Sequence, residues 1–287
     1  MKYQHIVAAV DVYEKQQAAL QRAVELAKSY QATLDVVHVA PQIVVNIPYS
    51  ADVQTNLEAE AKQRLDVLVA GIKLPGVKAH SVVGSAAREV VKVAQAVKAD
   101  VIVVGSHGKH GVDLMLGSTA NAIVHHAACD VLTVRIDRED TPACLGKYKK
   151  IVLATDLNED NRPVILAAVN KAKEQGAEFF VINVVPETAS MASVYVPNVE
   201  LELQKNAEKV MEGLAKEFGI AKDHTVVKIG APRYDILEYA NQVQADLIVL
   251  GSHGRKALAS LVLGSTANAV LHGAKTDVLV VRINKHH

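Results

Sequence analysis

One passage of this chain is written twice. Lys2–Asp11 reads KYQHIVAAVD and Lys147–Asp156 reads KYKKIVLATD, and the late runs DVLTVRI and DVLVVRI match as well. The offset between copies is 145 residues at Asp11 and Asp156, 146 at Gly105 and Gly251, and 147 at Gly117 and Gly264. A period that long exceeds the roughly 20–50 residues of a solenoid repeat and matches a whole domain. The 287 residues are therefore read as a tandem duplication, with domains at 1–140 and 147–287. The polar text REDTPACLG marks the junction, with a linker at 141–146.

Within each copy, short apolar runs alternate with helical spacing. His5–Val10 stops at Asp11, and Leu20, Ala23, Val24 and Ala27 then fall on one helical face. Thr33–Val39 is a second strand, followed by a long helix carrying Leu57, Ala61, Leu65, Leu68 and Val69 and broken at Pro75-Gly76. A strand at Lys78–Val83, a helix marked by Val90, Val93, Ala94 and Val97, and a strand at Asp100–Val104 follow. A helix from about Ser118 to Ala128 and a strand at Asp130–Ile136 complete the copy. Alternating strands and helices imply a parallel sheet, because each parallel crossover must pass over a face. The expected fold is α/β: two repeated doubly wound domains, each a five-stranded parallel sheet with helices on both faces.

Composition removes several function classes. Lys plus Arg and Asp plus Glu both total 31, and no long basic run occurs, which argues against electrostatic nucleic-acid binding. Trp is absent and aromatics are 4%, a poor basis for an aromatic platform under single strands. Two cysteines, Cys129 and Cys144, have neither a disulfide framework nor zinc-site spacing. No secretory signal is visible and no apolar window approaches about 18 residues, so a cytoplasmic protein without membrane association is expected.

The chemistry concentrates at strand ends. In an open parallel sheet, ligands sit beyond the carboxyl ends of the strands, where neighbouring crossovers leave in opposite directions. Asp156, the Asn183–Val185 stretch and Gly251 fall at such ends. The second copy continues as Gly251, Gly254, nine residues, then Gly264, Ser265 and Thr266 before a helical run. Glycine turns let amides approach an anion closely, and a helix start adds unpaired donors and the positive end of its dipole, so phosphate is the indicated guest. The first copy has Gly105, Gly108, then only eight residues before Gly117, Ser118 and Thr119. His107 and His253, inside these loops, are candidates to approach a phosphate, with exposed loop histidine the plainer reading.

These residues resemble the universal stress protein family, over essentially the full length of both halves. The resemblance rests on the pattern G-x2-G-x9-G-[S/T], met by Gly251, Gly254, Gly264 and Ser265, with an Asp ending strand one. It implies a universal stress protein, or adenine nucleotide alpha hydrolase-like, fold. It implies ATP (or ADP or AMP) as ligand, with Mg²⁺ carried on the phosphates. Asp156 would lie near ribose and phosphates, the Val184 backbone would pair with adenine, and Gly251, Gly254, Gly264, Ser265 and Thr266 would line the phosphate path. The matching positions in the first half are Asp11, Val39, Gly105, Gly108, Gly117, Ser118 and Thr119. The shorter loop of the first half favours the second domain as the binding site.

Both halves depart from the family where Asp11 is followed by Val12 and Tyr13, and Asp156 by Leu157 and Asn158, in place of Gly and Ser. The resemblance also implies pairing of the two domains through their fifth strands, and a homodimer beyond that. Function is read as nucleotide-dependent sensing or regulation in stress response, with no catalytic residue assigned. The alternatives are a slow ATP hydrolase or phosphotransfer component, opposed by the lack of a Walker-type GKT or GKS, and a nucleotide-free dimeric interaction module.

Overall fold

The computed structural model describes residues 3–42, 50–106, 116–135, 147–187, 199–252 and 263–283. The chain divides into two compact units, Lys2–Leu145 and Gly146–His287. The linker expected at 141–146 lies outside the described residues.

The first unit runs β1 (His5–Ala9), α1 (Ala18–Tyr30), β2 (Thr33–Ala40), α2 (Ser50–Ala70), β3 (Lys78–Val83), α3 (Ala86–Ala96), β4 (Val101–Gly105), α4 (Ser118–His126) and β5 (Asp130–Val134). Its strands stand in the order β3-β2-β1-β4-β5, every neighbouring pair parallel. The second unit repeats the programme as β6 (Lys150–Ala154), α5 (Arg162–Gln175), β7 (Glu178–Pro186), α6 (Val199–Phe218), β8 (Thr225–Gly230), α7 (Pro232–Gln242), β9 (Leu247–Gly251), α8 (Ser265–Gly273) and β10 (Asp277–Val281). Its order is β8-β7-β6-β9-β10, again all parallel.

Burial explains which runs became strands. Val101, Ile102 and Val103 in β4, like Leu247 and Val249 in β9, are fully buried, as continuous apolar strands covered on both faces must be. The outer strand β3 carries exposed Lys78 and half-buried His80 instead. His80 stands opposite Val37, on the same face as Asp35, and its Nε2 lies 2.6 Å from the buried Asp35 carboxylate.

Two carboxylate devices hold β1 and β6 in register. Asp100 accepts from the amides of Gln4 (2.6 Å) and His5 (2.8 Å), and Asp246 does the same for Lys149 (2.7 Å) and Lys150 (2.9 Å). The Tyr3 hydroxyl donates to Asp130 at 3.0 Å, and the Tyr148 hydroxyl to Asp277 at 2.7 Å, tying the first strand of each unit to its fifth. Burial first, and the neighbouring Asp130 carboxylate second, push the Tyr3 phenol well above the ordinary tyrosine range. No described helix is long and apolar enough to cross a membrane.

In both units the strand order reverses beside the first strand. β1, β2 and β3 run outward one way and β4 and β5 the other, as do β6, β7 and β8 against β9 and β10. The crevices beyond the ends of β1/β4 and β6/β9 are the switch points at which open sheets take ligands.

Candidate functional site

In the first domain the switch point holds a cavity of about 600 Å³. Asp11, Val39, Gly105, Gly117, Ser118 and Thr119 all line it, so the fold gathers these sequence-predicted positions around one space. The seventh position, Gly108, lies outside the described residues, as do Gly254, His107 and His253. The remaining wall comes from the loop after β1, with Tyr13, Glu14, Gln16 and Gln17, and from Ala18 and Ala19 at the start of α1.

That loop is tied by its own hydrogen bonds. The Tyr13 amide donates to Asp11 Oδ1 at 2.9 Å, and Gln17 Nε2 donates to the carbonyls of Asp11 (2.7 Å) and Glu14 (2.9 Å). The Arg64 guanidinium sits 5.0 Å from the Tyr13 ring centre, and the same ring meets the His38 imidazole edge-on. His38 is buried, with Nδ1 3.1 Å from the Val10 carbonyl oxygen. That contact is shorter than the 3.4 Å to the Val12 amide and assigns the ring proton to Nδ1. Its other nitrogen, Nε2, is buried without a hydrogen-bond partner in a wall of the cavity. The equivalent residue of the second domain, Asn183, plays the same part: Nδ2 donates to the Thr155 carbonyl at 2.8 Å and Oδ1 is left buried and unpartnered.

The helix start beyond β4 is anchored alike in the two domains. The Ser106 amide donates to the Val134 carbonyl and the Gly117 amide to the Ser106 carbonyl, at 2.8 and 2.7 Å. In the second domain Ser252 donates to Val281 and Gly264 to Ser252, at 2.9 and 2.8 Å. Gly117 and Gly264 cap α4 and α8 with nearly the same backbone angles (φ −61°, ψ 149° and φ −66°, ψ 150°), and among the described residues neither helix has a side-chain cap. A helix start of this kind can offer its first-turn amides to an anion. The eight-residue spacing of the first copy leaves this joint intact.

The second domain differs where the first strand ends. Leu157 takes φ 59°, the left-handed region that glycine enters without strain. A tight turn at Glu159–Asn161 then leads into α5. The Asp156 carboxylate accepts from the Asn158 amide and Nδ2, both at 3.2 Å, and from Asn161 Nδ2. A Cβ placed on Gly251 would stand 2.8 Å from Asn161 Oδ1, 2.8 Å from Ile283 Cδ1 and 3.3 Å from Val164 Cγ2. Protein atoms occupy the space above that glycine. Val184 is buried, whereas Val39 is half-buried. Ser265 is exposed and Thr266 half-buried, like Ser118 and Thr119.

Sequence reasoning missed Tyr13, Gln16, Ala19, His38 and Asn161, and placed Asn183 at a strand end without assigning it a part. The one available signal was a polar residue inside an apolar strand at the same place in both copies, His38 and Asn183. Such a residue needs a hydrogen-bond partner, and here the partner is the end of the first strand.

The glycine-capped helix start, the strand-end aspartate and the switch-point crevice are now placed. The sequence matches the universal stress protein family over residues 2–135 and again over 147–282. The chain belongs to that family. It is 42% identical to universal stress protein A homolog 1 of Coxiella burnetii over 140 residues, covering 47% of this chain and 97% of that protein. A universal stress protein of Mycolicibacterium smegmatis is 25% identical over 291 residues, 96% of each chain, and has the length of the tandem form. The crystal structure of a universal stress protein from Archaeoglobus fulgidus superposes with a TM-score of 0.70 at 18% identity, covering 99% of this chain and 98% of that one. At that identity the likeness shows the two-domain fold alone.

Proposed function

We propose that this universal stress protein binds an adenine nucleotide at the strand ends of its first domain and serves a sensing or regulatory role in stress response. The observation that supports the reading is the 600 Å³ cavity at the β1/β4 switch point. Its volume falls within the roughly 300–1,000 Å³ of small-molecule sites. In this reading each sheet is doubly wound, because right-handed crossovers on a β3-β2-β1-β4-β5 order send α1 and α2 to one face and α3 and α4 to the other. The nucleotide then lies between the two sets.

The residues present fit the group. The Val39 backbone offers an edge for adenine, and Asp11 offers an acceptor for ribose hydroxyls. Gly105 lets the chain pass close beneath, and the uncapped first turn of α4, with Ser118 and Thr119, offers donors to phosphate oxygens. A Mg²⁺ ion carried on the phosphates supplies charge neutralisation. Preference moves from the second domain to the first because the Gly117 and Gly264 joints are alike and the predicted positions of the first domain line a described cavity. A cytoplasmic homodimer completes the proposal, and a strictly monomeric chain in sedimentation would remove its last part.

Equilibrium titration of nucleotide-stripped protein with ATP and Mg²⁺ tests the binding. Saturable binding is expected, and its absence at millimolar ATP overturns the reading.

A further inference from the structure

We infer that Asn161 is a built-in occupant of the second domain's cradle, so that the chain takes one nucleotide rather than two. The inference rests on the nucleotide reading above and concerns how the same fold was closed in one copy. At an offset of 145 residues, Asn161 corresponds to Gln16 and Val164 to Ala19. Gln16 and Ala19 line the open cavity of the first domain. In the second domain both replacements point at Gly251, the glycine over which a nucleotide would have to pass. Asn161 Oδ1 and Val164 Cγ2 stand 2.8 and 3.3 Å from the position a Cβ there would take.

The chemistry of the contact is that of a ligand. Asn161 is 5% exposed and donates its amide to Asp156 Oδ1, the carboxylate that a ribose hydroxyl would otherwise address. Asn158 adds two further donors to the same carboxylate. A nucleotide entering here must remove a buried amide from its acceptor and find room beside Val164. In the first domain Gln16 and Ala19 stand at these places and line the cavity instead. The left-handed Leu157 and the tight turn at Glu159–Asn161 bring the side chain into this place.

The test counts nucleotides per full-length chain, using stripped protein, ATP and Mg²⁺ in titration calorimetry. Wild type is expected to bind one. Asn161→Gln combined with Val164→Ala installs the residues of the first domain and is expected to bind two, and Asn161→Ala alone is a second variant. Circular dichroism and thermal unfolding establish that each variant is folded. Hydrogen exchange of the wild-type chain gives a readout that needs no variant. ATP is expected to protect residues 11–20 and 116–122 and to leave 156–165 and 263–270 unchanged.

Two nucleotides per wild-type chain, or ATP protection at 156–165, overturns the inference. So do folded variants that still bind one, while the nucleotide reading then stands. No binding by wild type or variants overturns both.

Discussion

Ala19 and Val164 differ by two carbon atoms at equivalent places near the starts of α1 and α5, and the side chain faces a cavity in one domain and Gly251 in the other. Ala19→Val is expected to fill part of the first cavity and weaken ATP binding at least tenfold, because a packed wall cannot yield to an added branch without strain. Titration calorimetry reads that loss, and unaltered affinity would place the ligand elsewhere. His38 gives a second comparison. Asn183 shows that an amide can brace the carbonyl of the first strand, so His38→Asn is expected to change stability by no more than about 1 kcal/mol. His38→Leu removes the donor to Val10 and is expected to cost about 1–3 kcal/mol by denaturant unfolding. The first distinction was not open to a sequence reader. The ranking of the two copies rested on a count of loop residues, while the volume at Ala19 and the reach of Asn161 appear only when the chain is folded.

At the scale of elements, far more was legible. The runs ending at Asp11 and Gly105 read as strands because both faces of those strands are covered, leaving no polar alternation to blur the pattern. The helix expected from Ser118 to about Ala128 runs Ser118–His126, starting just after the glycine that caps it. The turn at Glu159–Asn161 was invisible, since the repeat keeps its offset across that stretch and the left-handed angle at Leu157 shows only in the folded backbone. The ties between strands were missed as well, because Tyr3 and Asp130 are 127 residues apart. That pair carries a pH dependence. The folded state holds the Tyr3 phenol protonated well above its ordinary range, while the unfolded chain releases the proton near pH 10. The stability so gained is full below about pH 10 and is lost as pH rises from there through the folded value. Tyr3→Phe is expected to flatten that alkaline decline in urea unfolding across pH 8–11, at a cost near 1 kcal/mol at neutral pH for the lost hydrogen bond. A decline as steep as in wild type would assign it to other groups.

Across the whole molecule, equal numbers of acidic and basic residues leave no net field to draw a polyanion towards the chain. The described lining of the first cavity sharpens the point, for it includes Asp11 and Glu14 and neither lysine nor arginine. Two unit charges of like sign about 6 Å apart repel by roughly 3 kcal/mol at the effective dielectric of a protein surface. Backbone amides at the start of α4 offset part of such a cost, since a helix end contributes about 0.3–1 kcal/mol towards an anion near the surface. In the nucleotide reading a divalent cation carried on the phosphates supplies the larger share. Chelating Mg²⁺ is therefore expected to lower ATP affinity at least tenfold and to leave adenosine affinity unchanged, because the nucleoside brings no charge towards Asp11 and Glu14. Parallel titrations of ATP and adenosine with and without a chelator measure both effects. Equal ATP affinity in the two conditions would mean that the phosphates lie away from the carboxylates. Loss of adenosine binding as well would mean that the cation shapes the cavity itself rather than accompanying the guest.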